Sequence, residues 1–355
     1  MTSDATHPAT PDTDMLLRQL SAWLAVNAPQ IGTPKALQKF STGQSNPTYR
    51  LQTTRPVGPG RFVLRTQPAG VLLKSAHAVD REFRVMQALT ATDVPVPEMI
   101  ITCDDPAIIG MKFFIMGEVA ADTVFDPALA GYTPTARERL FLAKVEVLAA
   151  LAQIDPLAIG LEGFGRHGGY LERQLGTWTR QYRASETGTI SAMEFLIDHL
   201  PACLGDDVPG FCVIHGDFRI DNLMIRNKTE IAALIDWELS TLGPAFIDLS
   251  YWCAMLRMKA DWPIGGLGGI KRGLLGIPEE ATLVQIFCQR TGFARPANWE
   301  ALIAFQCFRF AAILQGVLKR HLDGNASADN AGAVGGQAGK VAELGADILA
   351  TYLDG

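Results

Sequence analysis

Between Ile214 and Asn222 the chain reads Ile-His-Gly-Asp-Phe-Arg-Ile-Asp-Asn, a stretch of the form H-x-D-x-x-x-x-N. A further acid, Asp236, follows the apolar run 231–235 and lies 14 residues beyond Asn222. A carboxylate beside a hydroxyl accepts its proton, while an amide oxygen and a second carboxylate are hard donors suited to magnesium. Phosphoryl transfer from a nucleotide needs these groups together, and Asp217, Asn222 and Asp236 supply them in that order. Taken singly, Asp217 and Asn222 are turn residues, Asp236 is a helix cap and His215 is a core histidine. The agreement of several independent positions favours the chemistry.

Residues 211–249 alternate short apolar runs with polar clusters, as short strands do in a loop-rich patch, and such loops carry chemistry when a rigid frame holds them. Ahead of the patch, apolar residues at helical spacing predict a helix over residues 15–26. Strands are expected near 37–40, 48–51 and 61–65, the last with Val63 and Arg65 on one face. A helix over 76–89 and one or two strands within 108–119 follow. Beyond Asp122 the pattern is mostly helical: 135–153, 171–185, 192–200, 279–291, 299–322 and 341–353. The Gly/Ala/Asn-rich stretch 324–339 reads as a mobile connection, and residues 1–14 as a flexible tail with no features of a signal peptide.

With 48% apolar and 19% charged residues in 355, the chain has the composition of a folded globular protein, which excludes collagenous, coiled-coil and wholly disordered classes. Its 37 acids against 31 Lys and Arg, a net charge of −6, argue against nucleic acid or an anionic membrane as partner. Segment 301–318 is apolar but carries Arg309 and two glutamines, so a buried helix is expected rather than a membrane span. Six dispersed cysteines, without C-x-x-C spacing, are expected to be free thiols in a reducing cytoplasm.

These motifs, with 40–49 (FSTGQSNPTY), 75–82 (SAHAVDRE) and 236–243 (DWELSTLG), resemble the aminoglycoside phosphotransferase and choline kinase family over nearly the whole chain. The similarity is greatest to the branch associated with acyl-CoA dehydrogenases. The resemblance implies an α+β, two-lobed, protein-kinase-like fold: a small N-terminal antiparallel-sheet lobe (15–116) that binds nucleotide and a larger helical lobe (117–355) for catalysis and acceptor, with the nucleotide site at the seam near Gly117. It implies ATP and magnesium as co-substrate and cofactor, Asp217 as catalytic base, Asn222 and Asp236 as magnesium ligands, and His215 as a structural member of the loop. The hairpin loop with Ser41, Thr42, Gly43, Ser45 and Asn46 would cover the phosphates with N–H groups and hydroxyls. Arg65 stands where kinases carry a phosphate-binding lysine, with Glu82 as its ion-pair partner; arginine binds phosphate as a planar fork rather than a point charge. Met116 to Val119, including Glu118, would meet the adenine edge.

Arg219 has two readings, stabilising the transferred phosphoryl group or pairing with Asp248 or Glu238. Asp221 is expected to brace the loop. Family and fold do not name the acceptor. Segment 257–321 is rich in basic residues, and Arg309 and Arg320, eleven apart, fall within roughly 20° on a helix of period 3.6. That favours an anionic acceptor such as a hydroxyacyl-CoA or hydroxy acid, with Arg309, Arg320 and Glu238 as substrate contacts. The alternatives are an aminoglycoside or choline-like amino-alcohol kinase and a non-catalytic nucleotide-binding scaffold. A functional link to an acyl-CoA dehydrogenase and a homodimer are further expectations.

Overall fold

The computed structural model describes residues 13–40, 46–54, 60–68, 78–205, 208–325 and 330–355. Its chain divides into two compact units, residues 1–120 with 233–238, and residues 121–232 with 239–355.

The first unit holds α1 (Thr13–Asn27), β1 (Pro34–Lys39), β2 (Thr48–Thr53), β3 (Arg61–Thr66), α2 (Val79–Leu89), β4 (Met99–Cys103) and β5 (Phe113–Gly117). The strands form one antiparallel sheet in the order β1-β2-β3-β5-β4. Leu16, Leu20 and Leu24, four residues apart, make one face of α1, which packs on Tyr49, Leu51, Phe62, Leu64, Phe113 and Ile115. Each such leucine contributes about 1.5–3 kcal/mol on burial. Because strand side chains alternate, the same pleat that turns Phe62 and Leu64 toward α1 sends Arg65 and Phe114 to the opposite face. There α2 lies, with Phe83 5.9 Å from Phe114 and Glu82 bonded to Arg65. The returning segment 233–238 docks through the Leu234 N–H to the Pro95 carbonyl, 2.8 Å, and buries Trp237.

The second unit holds β6 (Asp122–Thr123), α3 (Pro134–Ala152), α4 (Tyr170–Ser185), α5 (Ser191–Cys203), β7 (Cys212–Ile214), β8 (Leu223–Arg226), the first three residues of β9 (Glu230–Leu234), β10 (Thr241–Gly243), α6 (Ile247–Arg257), α7 (Glu280–Thr291), α8 (Trp299–Leu322), α9 (Ala331–Gly335) and α10 (Ala338–Asp354). α8 is its axis, packed against α4, α5, α6 and α10. At 24 residues, with an 18-residue window of mean hydropathy 1.7, it is long and apolar enough to cross a membrane, but 78% of that window is buried inside the protein, as expected of a core helix.

Three expectations are corrected. α6 begins inside the stretch 211–249 read as strands and loops and runs on through residues for which no element was expected, because Ile247 to Ala254 is buried on every side and shows no amphipathic period. β4 follows the prolines at 95 and 97, which masked it. The stretch 324–339 is partly helical, in α9 and the first residues of α10.

Candidate active site

The loop after β7 is pinned from below. Asp248, in the first turn of α6, accepts the His215 N–H at 2.7 Å and the Gly216 N–H at 2.9 Å, one on each carboxylate oxygen. Burial raises the Asp248 carboxyl, and the His215 ring and these two N–H groups oppose it. Bonds of this charge-assisted kind contribute about 1.5–3 kcal/mol each. Gly216 has φ +86°, and a Cβ there would meet the Leu239 carbonyl oxygen at 2.7 Å, so only glycine fits the bend. His215 Nδ1 accepts the Asp217 N–H at 3.2 Å.

That frame delivers Asp217 with 26% of its side chain open to solvent. Oδ1 accepts the Tyr251 hydroxyl at 2.7 Å, and Oδ2 accepts the Asn222 amide at 3.0 Å. Asn222 Nδ2 also donates to the Asp217 carbonyl, 2.9 Å. The amide nitrogen is thus turned to Asp217 and the amide oxygen away from it, the orientation a hard-metal ligand needs. Tyr251 went unnoticed in the sequence. It lies three residues after Asp248 on the same helical face, a signal that was hidden once α6 itself was not recognised.

Arg219 pairs with Asp221, which corrects the reading that paired it with Asp248 or Glu238, and its Nε lies 3.6 Å from Asp217, beside the carboxylate as the other reading places it. Burial works against its charge, but Asp217, Tyr251 and Asp221 outweigh that and hold it cationic. Arg309 is corrected as well. It is buried, its Nη2 donates to the Gly216 carbonyl at 2.6 Å, and its guanidinium sits 5.3 Å from the Tyr251 ring and 5.5 Å from the Trp178 ring. Arg320, on the same helix, is exposed. The basic excess read from 257–321 is also largely matched: Arg257 pairs with Glu280 and Glu300, Arg272 with Glu279, Arg290 with Glu146, Arg295 with Glu300 and Lys319 with Asp323. Those charges therefore do not define an anion pocket.

Beneath the loop, Lys144 of α3 is buried with its Nζ 4.1 Å from the Trp252 ring centroid and 5.5 Å from that of Phe218. Burial lowers its ammonium to about 7, opposed by Asp221. An unfolded lysine titrates near ~10.4, so above about 7 the unfolded chain holds the extra proton and wild-type stability rises with pH. Below 7 the burial cost is present in full. Lys144→Met is accordingly expected to stabilise the protein by about 1–3 kcal/mol at pH 6, with the gain shrinking toward pH 10. Urea unfolding at the two pH values checks this, and a gain that grows with pH contradicts it.

The first unit carries the second group of charges. Arg65 Nε donates to Glu82 Oε2 at 2.7 Å and Nη2 to Asp236 Oδ1 at 2.5 Å. Burial acts against the guanidinium, and Glu82, Asp236 and Glu238 more than offset it, keeping Arg65 cationic. Burial raises the Glu82 carboxyl against the pull of Arg65. Asp236 has φ +65°, uncommon outside glycine and tolerated by aspartate better than by bulkier residues. Glu238, expected at the acceptor, is half-buried and acts electrically on Arg65 and Glu82. Asn46 is buried, its carbonyl accepting the Thr48 hydroxyl. Met116 is buried in β5, the Gly117 N–H is bonded to the Glu98 carbonyl and the Glu118 N–H to that of Arg61, and the Glu118 carboxylate pairs with Arg50 at 2.8 Å. Ser41, Thr42, Gly43 and Ser45 lie outside the described residues.

A family model described as "Phosphotransferase enzyme family" matches residues 36–305, well over half of the chain. The chain belongs to that family. This phosphotransferase is 42% identical over 317 residues, 89% of its length, to mouse acyl-CoA dehydrogenase family member 10, and spans 29% of that protein. A solved structure from Ralstonia eutropha, provisionally described as an aminoglycoside phosphotransferase, is 38% identical with a TM-score of 0.84, over 94% of this chain and 98% of that one. The aminoglycoside phosphotransferase APH(4)-Ia, in a ternary complex with ADP and hygromycin B, shares the fold at 15% identity and a TM-score of 0.61, over 93% and 98% of the two chains. The fold is therefore the protein-kinase-like one expected from the sequence.

Proposed function

We propose that this phosphotransferase moves the γ-phosphoryl group of ATP, with magnesium, to a hydroxyl of a small molecule, and that the acceptor is a hydroxyacyl-CoA or a hydroxy acid. The reaction type rests on Asp217, a partly open carboxylate oriented through both of its oxygens. As the acceptor oxygen bonds to phosphorus, its proton passes to Asp217, and the bond from phosphorus to the bridging oxygen breaks, with ADP leaving on the electron pair. Arg65 holds a phosphate oxygen through its remaining Nη1 edge, and Arg219 balances charge beside Asp217. Asn222 and Asp236, an amide oxygen and a carboxylate, are the residues that would hold magnesium, which supplies charge neutralisation on the phosphates. Support for ATP comes from the fold-mate bound to ADP.

The acceptor class is supported by the name of the mouse relative, an acyl-CoA dehydrogenase family member, and with it a working link to such a dehydrogenase. The description of the Ralstonia protein favours a second reading, an aminoglycoside acceptor, and the paired basic residues of 257–321 offer no charge argument against it. Turnover of MgATP to ADP with a panel of hydroxyacyl-CoAs, hydroxy acids, aminoglycosides and choline separates the two. Fastest turnover is expected with a hydroxyacyl-CoA or hydroxy acid. Turnover with aminoglycosides alone reverses the acceptor assignment. A protein that neither turns over MgATP nor gains Tm in its presence is a scaffold, since a ligand at 100 times its Kd adds about 2.7 kcal/mol.

A further inference from the structure

Tyr251 has no part in the reaction as written above, yet its hydroxyl makes the shortest described contact of the Asp217 carboxylate, 2.7 Å to Oδ1. The phenol is 3% exposed. Burial raises it well above its ordinary value, and the Asp217 charge adds to the effect, so it remains a donor throughout the working pH range. Its ring is itself held. Arg309 lies 5.3 Å from it and donates to the Gly216 carbonyl, while Phe310 packs at a tilt, centroids 5.9 Å apart. The helix that carries Tyr251 also carries Asp248, whose two oxygens bond the N–H groups of His215 and Gly216. α6 therefore grips the loop at its root through Asp248 and at its reacting end through Tyr251.

Asp217 has only one side-chain torsion between its carboxyl carbon plane and the rigid Cβ, and that terminal torsion is soft and broad in the absence of partners. Asn222 fixes one oxygen and Tyr251 the other, which together leave one plane for the carboxylate. A base that rotates out of line with the acceptor hydroxyl loses rate even where binding is unchanged, because proximity acts only through correct orientation.

Resting on the phosphotransferase reading above, we propose that Tyr251 is a positioning residue for phosphoryl transfer, its hydroxyl setting the plane of the Asp217 carboxylate while Arg309 and Phe310 hold its ring in place. Tyr251→Phe keeps the ring, its packing and the Arg309 contact, and removes only the donor. Asp217 is open enough for water to satisfy the oxygen that is left, so no large loss of stability follows.

The test is a double-mutant cycle on the full chain. ADP release from MgATP is measured for wild type, Tyr251→Phe, Asp217→Asn and the pair, with the fastest acceptor of the panel above, or with water where none is faster. Tyr251→Phe is expected to lower kcat about tenfold, with KM for MgATP within twofold of wild type and the Tm nearly unchanged. Added to Asp217→Asn it is expected to lower kcat no further, since a positioning residue has nothing to act on once the base is gone. A kcat for Tyr251→Phe within twofold of wild type overturns the proposal and leaves the phosphotransferase reading standing. So does a loss that multiplies on the Asp217→Asn background, or one carried by KM and Tm, either of which marks a structural role. Absence of ADP release from wild type overturns the phosphotransferase reading and this proposal with it.

Discussion

Asp217→Asn lowers kcat for phosphoryl transfer by about 10²–10⁴-fold, the usual contribution of a positioned general base, while the MgATP-induced rise in Tm persists. The substitution is close to isosteric. The Tyr251 hydroxyl still has a side-chain oxygen to bond, and the backbone bonds that shape the loop, from Asp248 to the His215 and Gly216 N–H groups, do not pass through the Asp217 side chain. What disappears is the ability to take up a proton, together with one of the two acceptor oxygens. Asn222 then faces a second amide and keeps only its bond to the residue-217 carbonyl. Initial-rate kinetics with saturating acceptor, run beside a thermal-shift titration with MgATP, read the two effects separately. Retention of kcat to within tenfold shows that Asp217 is not the base; loss of the Tm response together with kcat shows that the side chain supports the fold instead.

The parts of this site that the sequence made legible are those tied to local spacing. The H-x-D-x-x-x-x-N stretch lies on one loop, so Asp217 and Asn222 meet within five residues of each other. The pairing of Arg65 with Glu82 is implied by the resemblance to kinases, and periodicity makes legible only the strand and the amphipathic helix that carry the two residues. Contacts over long separations were not. Tyr251 reaches Asp217 across 34 positions and Arg309 reaches Gly216 across 93, and both stand on helices so thoroughly buried that their sequences carry no face. Arg309 was read by helical period as a partner of Arg320, but period gives direction around an axis and not depth. α8 is sunk into the unit at residue 309 and emerges only near its end. For Arg219 the ion-pair reading looks to distant acids, whereas its Nη2 bonds a neighbour two residues away, Asp221. The positive φ of Asp236 has no sequence signature at all, since aspartate is common in ordinary conformations.

Arg65→Met is expected to cost about 3–5 kcal/mol, the range for removing one partner from a buried charge pair. Glu82 is almost fully buried and Asp236 stands against the other edge of the same guanidinium. Without the cation, two carboxylates of like charge are left together, one of them out of reach of water. The loss has a defined pH dependence. Burial already raises Glu82 in the wild type, with Arg65 opposing; in the variant that opposition is gone and the folded-state value rises further above the unfolded one near ~4.3. The folded variant then binds the extra proton in the window above ~4.3, so its stability falls as pH rises through that window. The deficit against wild type should be smallest near pH 5 and largest near pH 8, as read from urea unfolding at both. Arg65→Lys separates charge from shape. A single ammonium restores the net charge, but it lacks the planar fork that bonds Glu82 through Nε and Asp236 through Nη2 and has no further edge for the phosphate oxygen proposed for Nη1. The lysine variant should thus recover most of the stability and still lose MgATP affinity. Full recovery of both would mean that the pair needs only a positive charge at this position, and that arginine brings nothing the usual lysine does not.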